Sequence, residues 1–268
     1  MKVGVVQMTS TEDVERNLAC AERCVGQAAE DGARVVVLPE CFAYLGPEDG
    51  KLALAEALPG GDPILERMQA LARARGVDLV LGGFWERGAS PGKVKNACVH
   101  LDAGGAVKAV YRKIHLFDVD LPDGTRLVES DTVEAGSDVV VTDTPFGRLW
   151  LSVCYDLRFP ELYRRLVDGG AIALAIPAAF TLTTGKDHWH VLLRARAIEA
   201  QCYVLAAAQT GHHFGRRYSY GHALVVDPWG TVLAEHGEGE GAVVARLDPD
   251  AVARVRRALP SLAHRRLG

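Results

Sequence analysis

Three side chains in this sequence have the chemistry, and the kind of position, needed to attack a carbonyl and hold the charge the attack creates. Cys154 follows the apolar run Leu149-Trp-Leu-Ser-Val and precedes the polar Tyr155-Asp-Leu-Arg, after which Pro160 opens a helix pattern. A strand-to-helix elbow of this kind lifts a side chain to the carboxyl end of a sheet. It also turns free backbone N–H groups toward the same point, which suits a nucleophile working beside an oxyanion site. Glu40 stands just past the run Val35-Val-Val-Leu-Pro, where burial would raise its pKa toward that of a working general base. Lys113 closes the run Ala106–Tyr111, and a fixed ammonium there could steady a developing oxyanion. Each residue alone also has a plain reading: a small buried hydrophobe for Cys154, a solvated loop carboxylate for Glu40, a surface cation for Lys113. Their shared position at strand ends favours chemistry, because such ends converge on one ligand crevice in α/β sheets.

The elements that must position them alternate along the chain. Val3–Met8 reads as a strand, Thr11–Asp31 as a helix capped by Ser10 or Thr11, and Arg34–Leu38 as a strand stopped by Pro39. Asp62–Arg75 reads as helix, Val77–Gly82 as strand, and Val94–Leu101 with Ala106–Tyr111 as a hairpin around Gly104-Gly105. Lys113–Ser137, with Pro122, Asp123, Gly124 and Gly136, shows little periodicity, and long loops of this sort are often functional. Strands follow at Val139–Thr142, Leu149–Val153 and Ile172–Ile176, with a proline-opened helix at Pro160–Val167. His188–Ala200 reads as helix, Cys202–Ala208, Tyr220–Val226 and Thr231–Ala234 as strands, and Asp250–Leu259 as a basic terminal helix. With no composition break, linker or repeat, the pattern predicts a single α/β domain over residues 1–268.

Composition narrows the partners. The chain has 268 residues, 49% hydrophobic and 24% charged, which allows a large core without metals or disulfides. Thirty Lys+Arg against 34 Asp+Glu give a formal charge of −4, so there is no global basic field to attract nucleic acid or anionic lipid. The N-terminal apolar run turns polar at Thr9, too early for a signal-peptide core. No segment approaches the roughly 18–20 apolar residues that span a bilayer. The six cysteines are scattered without a C-x-x-C pair; reduced thiols and a cytoplasmic location are the expectation.

Leu38-Pro-Glu40, Tyr111-Arg-Lys-Ile-His-Leu-Phe-Asp118 and Val153-Cys-Tyr-Asp-Leu-Arg-Phe-Pro-Glu161 resemble the three signature segments of the nitrilase (carbon–nitrogen hydrolase) superfamily, and the resemblance spans essentially the whole chain. It implies an αββα four-layer sandwich with Cys154 as nucleophile, Glu40 as general base and Lys113 as stabiliser of the tetrahedral intermediate. Glu129, in Leu127-Val-Glu-Ser, fits the family's second carboxylate, which positions the lysine or the substrate. Under this reading Glu40 takes the thiol proton, or the two rest as an ion pair with Lys113 lowering the thiol pKa. Lys113 and the Tyr155 N–H hold the oxyanion. Glu40 then protonates the departing amine and activates the water that hydrolyses the thioester. An amide becomes an acid and an amine, with no cofactor.

The second half most resembles the Nit1-like branch, whose members hydrolyse deaminated glutathione to 2-oxoglutarate and cysteinylglycine. The strings are Ala178-Ala-Phe-Thr-Leu-Thr-Thr-Gly, His188–Val204, Ala207-Ala-Gln-Thr-Gly-His-His and Tyr218-Ser-Tyr-Gly-His-Ala-Leu-Val-Val-Asp-Pro-Trp-Gly. Thr181-Leu-Thr-Thr-Gly is similar also to the ω-amidase branch, which acts on 2-oxoglutaramate or succinamate. Such anionic substrates call for a cationic or hydrogen-bonding anchor. Arg158 leads by proximity, although it can equally tie down the elbow. Thr183 and Thr184 could donate from the facing loop, with Ala179 and Phe180 beside them.

A noncatalytic ligand-binding protein is the alternative of a different class; the complete Glu-Lys-Cys set argues against it, since a binder has no need of all three. His188-x-His190 and His212-His213 invite a metal, but residues i and i+2 on a helix face different ways and no further ligand spacing completes a site. Arg194 and Arg196 suit helix packing or a subunit surface, and Trp189, Trp229 and the Tyr218/Tyr220 pair suit core or subunit contacts. The resemblance further implies a homodimer, or a higher homo-oligomer, joined through helices near the elbow and the C-terminal segment.

Overall fold

The computed structural model describes residues 1–60, 62–120, 124 and 126–266. In chain order the first half forms β1 (Lys2–Met8), α1 (Val14–Glu30), β2 (Ala33–Val37), α2 (Glu48–Ala53), α3 (Pro63–Arg75), β3 (Asp78–Arg87), β4 (Val94–Leu101), β5 (Val107–Arg112), β6 (Asp118–Asp120) and β7 (Arg126–Val128). The second half forms β8 (Val141–Thr144), β9 (Gly147–Leu151), α4 (Pro160–Asp168), β10 (Ala173–Ala175), α5 (Leu182–Ala200), β11 (Tyr203–Ala206), β12 (Ala208–Phe214), β13 (Arg217–Tyr220), β14 (Leu224–Val226), β15 (Val232–Glu235), β16 (Gly241–Arg246) and α6 (Pro249–Ala258).

Two sheets result. The larger runs β13-β12-β1-β2-β3-β4-β5 with β16 also on β1, the smaller β15-β14-β11-β10-β9-β8. Strand alternation in the larger sheet sorts its residues into two cores. Val3, Val5, Val35, Val37 and Val80 share one core with Leu149, Leu151, Leu174 and Val204 of the smaller sheet. Val6, Met8, Val36, Leu38 and Leu79 share the other with Leu18 and Val25 of α1 and Leu65 and Met68 of α3. Strands buried on both faces explain why these segments are continuous valine and leucine runs with no polar alternation. Beyond the smaller sheet, α4 and α5 contribute Leu162, Tyr163, Trp189, Leu193 and Ala197 to the first core. The architecture is the αββα sandwich.

Several boundaries differ from those the sequence suggests, each for a physical reason. Helix α1 is capped by Asp13, whose side chain accepts from Arg16 N at 3.0 Å; the Ser10 hydroxyl instead donates to Phe42 O at 2.9 Å. Helix α5 starts at Leu182, earlier than His188, because Thr181 caps it. The expected strands Cys202–Ala208 and Tyr220–Val226 are each cut where the chain changes sheets. β11 belongs to the smaller sheet and β12 to the larger, β13 to the larger and β14 to the smaller. The second break falls at Gly221 (φ 80°) and His222 (φ 60°). Strand β16 was hidden by its glycine-rich approach, and β3 continues through Gly82-Gly83 to Arg87 across a register shift. The 113–137 stretch contains the β6–β7 hairpin and a 3₁₀ turn at Glu129–Asp131; Pro122 and Asp123 lie outside the described residues.

Candidate active site

The chain leaves β2 at Val37, β5 at Arg112 and β9 at Leu151, and the next few residues from each meet at one point. The expected crevice is therefore built at the ends of two facing sheets rather than along one: Glu40 and Lys113 come from the larger sheet, Cys154 from the smaller. Lys113 Nζ lies 3.1 Å from Glu40 Oε1 and 3.0 and 2.8 Å from the two oxygens of Glu129. Glu40 Oε2 accepts the Ala179 N–H at 2.9 Å, and the charge of the same carboxylate acts on the Cys154 thiol. Glu129 Oε2 also accepts the Phe117 N–H at 2.7 Å. All of Glu40, Lys113 and Cys154 are buried. The structure thus brings together the thiol, the ammonium and both carboxylates singled out in the sequence.

Cys154 sits at φ 46°, the left-handed region that a side chain normally avoids. Its own N–H is spent on Pro177 O at 2.9 Å, whereas the Tyr155 N–H donates to no backbone carbonyl among the described residues. That leaves the Tyr155 amide available to an oxyanion. On the opposite wall, Gly83 (φ 63°) lets β3 pass close beneath Glu40: a Cβ there would lie 2.5 Å from Cys41 N and 2.7 Å from Glu40 Cγ. No other residue type fits that contact.

Charge settles the resting protonation. Burial alone would push the Glu40 carboxyl up, but the Lys113 ammonium, the Cys154 thiol and hydrogen bonds from Lys113 and Ala179 hold it below the usual carboxylate range. Burial pulls Lys113 down, and the two flanking carboxylates more than reverse this, leaving it well above an ordinary lysine. Burial and the Glu40 charge push the Cys154 thiol well up, against the opposing pull of Lys113. Of the two states open to the pair, these fields favour thiol and carboxylate over thiolate and acid.

Supporting residues that sequence reasoning missed hold this arrangement. Asn96, on β4, donates to Glu40 Oε1 at 2.9 Å and Glu129 Oε1 at 3.2 Å. Gln209 donates to Glu40 O at 2.9 Å. Asp156, fully buried, accepts from Tyr111 Oη at 2.6 Å, Val153 N at 2.9 Å and His115 N at 3.1 Å, and pairs with His115 Nδ1 at 2.7 Å. The signal was present: each is a polar residue beside or within an apolar strand-like run, and buried polar groups need partners.

A cavity of about 570 Å³ opens over Cys154, lined among others by Tyr44, Trp85, Phe117, Arg126, Phe214 and Arg217. The residues expected to anchor substrate fall around it unevenly. Tyr155 and Arg158 line a narrow adjoining space with Phe180 and Thr184. The Arg158 guanidinium stacks 5.0 Å from the Phe180 ring centre and reaches His188 Nδ1 at 3.2 Å. Thr184 is engaged with Thr181 Oγ1 at 2.8 Å in the helix cap, and Thr183 lines a neighbouring depression that also reaches Arg217. Ala179 lines the main cavity. Arg196 packs on Tyr163 and donates to Leu157 O, steadying the elbow; Arg194 donates to Gly230 O.

The histidines assemble differently from either expected pair. His190 Nε2 and His222 Nδ1 both meet Glu235 Oε1, at 3.0 and 2.6 Å, and the three ligand atoms lie within 4.8 Å of one another. One carboxylate oxygen thus serves both rings. Trp189 is fully buried, while Trp229 and Tyr218 are exposed.

Comparisons with known proteins agree with this geometry. A carbon–nitrogen hydrolase family model matches residues 2–257. A deaminated glutathione amidase from Synechocystis sp. is 47% identical over 98% of this chain and 97% of the relative, and one from Homo sapiens is 46% identical over 98% and 82%. The crystal structure of the C. elegans NitFhit protein superposes with a TM-score of 0.92 at 43% identity over 99% of this chain; the chain spans 65% of that longer one. Saccharomyces cerevisiae Nit3, a member of branch 10 of the nitrilase superfamily, superposes with a TM-score of 0.86 at 32% identity over 100% and 97%.

The chain belongs to the carbon–nitrogen hydrolase family, with the fold of the nitrilase superfamily. It is a hydrolase of amide carbon–nitrogen bonds. No helix among the described residues is long and apolar enough to cross a membrane.

Proposed function

We propose that the protein is a thiol amidase that hydrolyses deaminated glutathione to 2-oxoglutarate and cysteinylglycine. The observation that carries this reading is the meeting of the Cys154 thiol, the Glu40 carboxylate and the Lys113 ammonium at the floor of one cavity. The full-length relatives named deaminated glutathione amidase support the choice of substrate over an ω-amide.

In this mechanism Cys154 Sγ attacks the amide carbonyl as its proton passes to Glu40 Oε2 or Oε1. The raised thiol and depressed carboxyl make transfer ahead of attack uphill, so bond formation and proton loss occur together. The oxyanion is held by Lys113 Nζ and the Tyr155 N–H, each worth about 3–4 kcal/mol when well placed. Glu129 fixes Lys113 through two short contacts, so the ammonium loses little freedom when charge develops. The C–N bond breaks as Glu40 protonates the departing nitrogen, leaving a thioester on Cys154. Water, deprotonated by Glu40, then cleaves it and restores the thiol.

We further assign a homodimer joined along the α5 and C-terminal face, supported by the exposed Val191, Ile198, Trp229 and Leu259. A cytoplasmic location accords with six free, buried cysteines. The direct test supplies deaminated glutathione to wild type and Cys154→Ala and measures 2-oxoglutarate. Release only by wild type is expected; equal release from both overturns the assignment of the nucleophile.

A further inference from the structure

We infer that Arg217 is the anchor for a substrate carboxylate on the acyl side of the scissile bond, a conclusion that rests on the amidase reading above. Four cations line the cavity: Lys51, Lys113, Arg126 and Arg217. Two are committed to carboxylates and one is solvated. Lys113 is held between Glu40 and Glu129. Lys51 pairs with Glu48 and lies over the Trp85 ring. Arg126, on the exposed β6–β7 hairpin, faces Asp120 at 3.8 Å.

Arg217 differs in each respect. It forms no ion pair among the described residues, and its single side-chain hydrogen bond there runs from Nη2 to Ala179 O at 3.0 Å. Its Nη1 is buried with no acceptor among the described residues. Burying the Nη1 donor of a half-buried guanidinium without an acceptor is costly, and a carboxylate completes it with two parallel hydrogen bonds.

Its tether fixes which end of the substrate it serves. Ala179 offers its carbonyl to Arg217 and its N–H to Glu40, so one residue joins the anchor to the base. The amine must leave while the acyl group stays bonded to Cys154 through the second half of the reaction. A half-buried anchor beside the base therefore serves both halves by holding the part that stays, whereas one on the amine would serve only the first. The substrate class that fits is an amide of a dicarboxylic or 2-oxo dicarboxylic acid with its remote carboxylate free. Arg158 does not line the main cavity; its guanidinium lies over the Phe180 ring and meets His188 Nδ1.

The test compares deaminated glutathione with 4-oxopentanoyl-cysteinylglycine, in which a methyl replaces the acyl-side carboxylate and the leaving group is unchanged. Wild type is expected to favour the carboxylate compound by about 10–100-fold in kcat/KM, the value of one charge-assisted pair. Arg217→Gln should remove most of that preference, and Arg217→Lys, which keeps the charge without the fork, should fall between. A wild type that hydrolyses neither compound overturns the proposed deaminated glutathione activity itself. A wild type active on both without preference, or an Arg217→Gln or Arg217→Lys enzyme that keeps the full preference of wild type, overturns the anchor and leaves the amidase intact. Circular dichroism of both variants separates loss of fold from loss of discrimination, and Arg217→Lys carries the comparison if Arg217→Gln does not fold.

Discussion

Asp156 accepts the Tyr111 hydroxyl at 2.6 Å, and this single contact locks the lysine strand to the cysteine elbow. Tyr111 and His115 flank Lys113 on either side, and both close on a carboxylate two residues beyond Cys154. Asp156 therefore ties the chain on both sides of Lys113 to the elbow that carries Cys154. Replacing Asp156 with Ala strands the Tyr111 hydroxyl and the Val153 and His115 amides, and should cost roughly 3–5 kcal/mol of stability. Tyr111→Phe removes one bond and should cost about 1–2 kcal/mol. Urea unfolding of the two single variants and the double variant should give a coupling energy of at least about 0.5 kcal/mol, the range for residues in direct contact; additive losses would show that the contact carries no energy.

Gly83→Ala should keep the sandwich and cut turnover. The added methyl would press on Glu40 Cγ and Cys41 N from a left-handed backbone position, and a displacement near 1 Å at a reacting group costs about 100-fold in rate. kcat measured beside the thermal unfolding midpoint checks this: unchanged kcat would mean that the base does not depend on that wall.

Activity should persist into mild acid. In the proposed mechanism Glu40 acts as a carboxylate, and it is held below its ordinary 4.5, so the acid limb of kcat/KM should have its midpoint under that value. Lys113 and Cys154, both raised, keep their protons toward the alkaline side, which leaves the profile flat between. The depressed Glu40 also contributes stability above its unfolded pKa that is lost as pH falls through the folded value. An acid limb centred above 4.5, measured by short pH-jump assays, would contradict the ion pair with Lys113.

His213 should make the fold acid-sensitive in a separate window. Burial pushes its pKa down from 6.5 to about 4. Its Nδ1 donates to Ser10 O at 2.7 Å and its Nε2 accepts from the Ser219 hydroxyl at 2.8 Å. The unfolded chain then binds the extra proton first, so stability is full above pH 6.5 and falls toward pH 4, by roughly 3 kcal/mol in all. In His213→Leu the stability at pH 7 should drop and the slope between those pH values should flatten; an unchanged slope would assign the sensitivity to other groups.

Much of the site was legible because strand-to-turn transitions are written in residue type: valine runs ending at Pro39-Glu40, Arg112-Lys113 and Val153-Cys154 fix where side chains emerge. The sheet to which each strand belongs was not. Nothing local marks the break between β11 and β12, since Tyr203–Ala208 reads as one apolar run and Ala207, where the chain changes sheets, is neither glycine nor proline. Asn96 and Gln209 were passed over because a polar residue in a strand announces a buried partner without naming it. Proximity in sequence to Cys154 favours Arg158 as the anchor, but the elbow turns that side chain toward Phe180 and α5, a direction that no local pattern announces.

Glu40 and Lys113 ride on one sheet and Cys154 on the other, with the chain stitched between the layers at Ala207 and again near Gly221. Turnover is thus a gauge of how the two slabs dock. A loosened state in which both retain their hydrogen-bonded ladders but slide along the seam by an ångström would look native to far-ultraviolet dichroism and be catalytically silent.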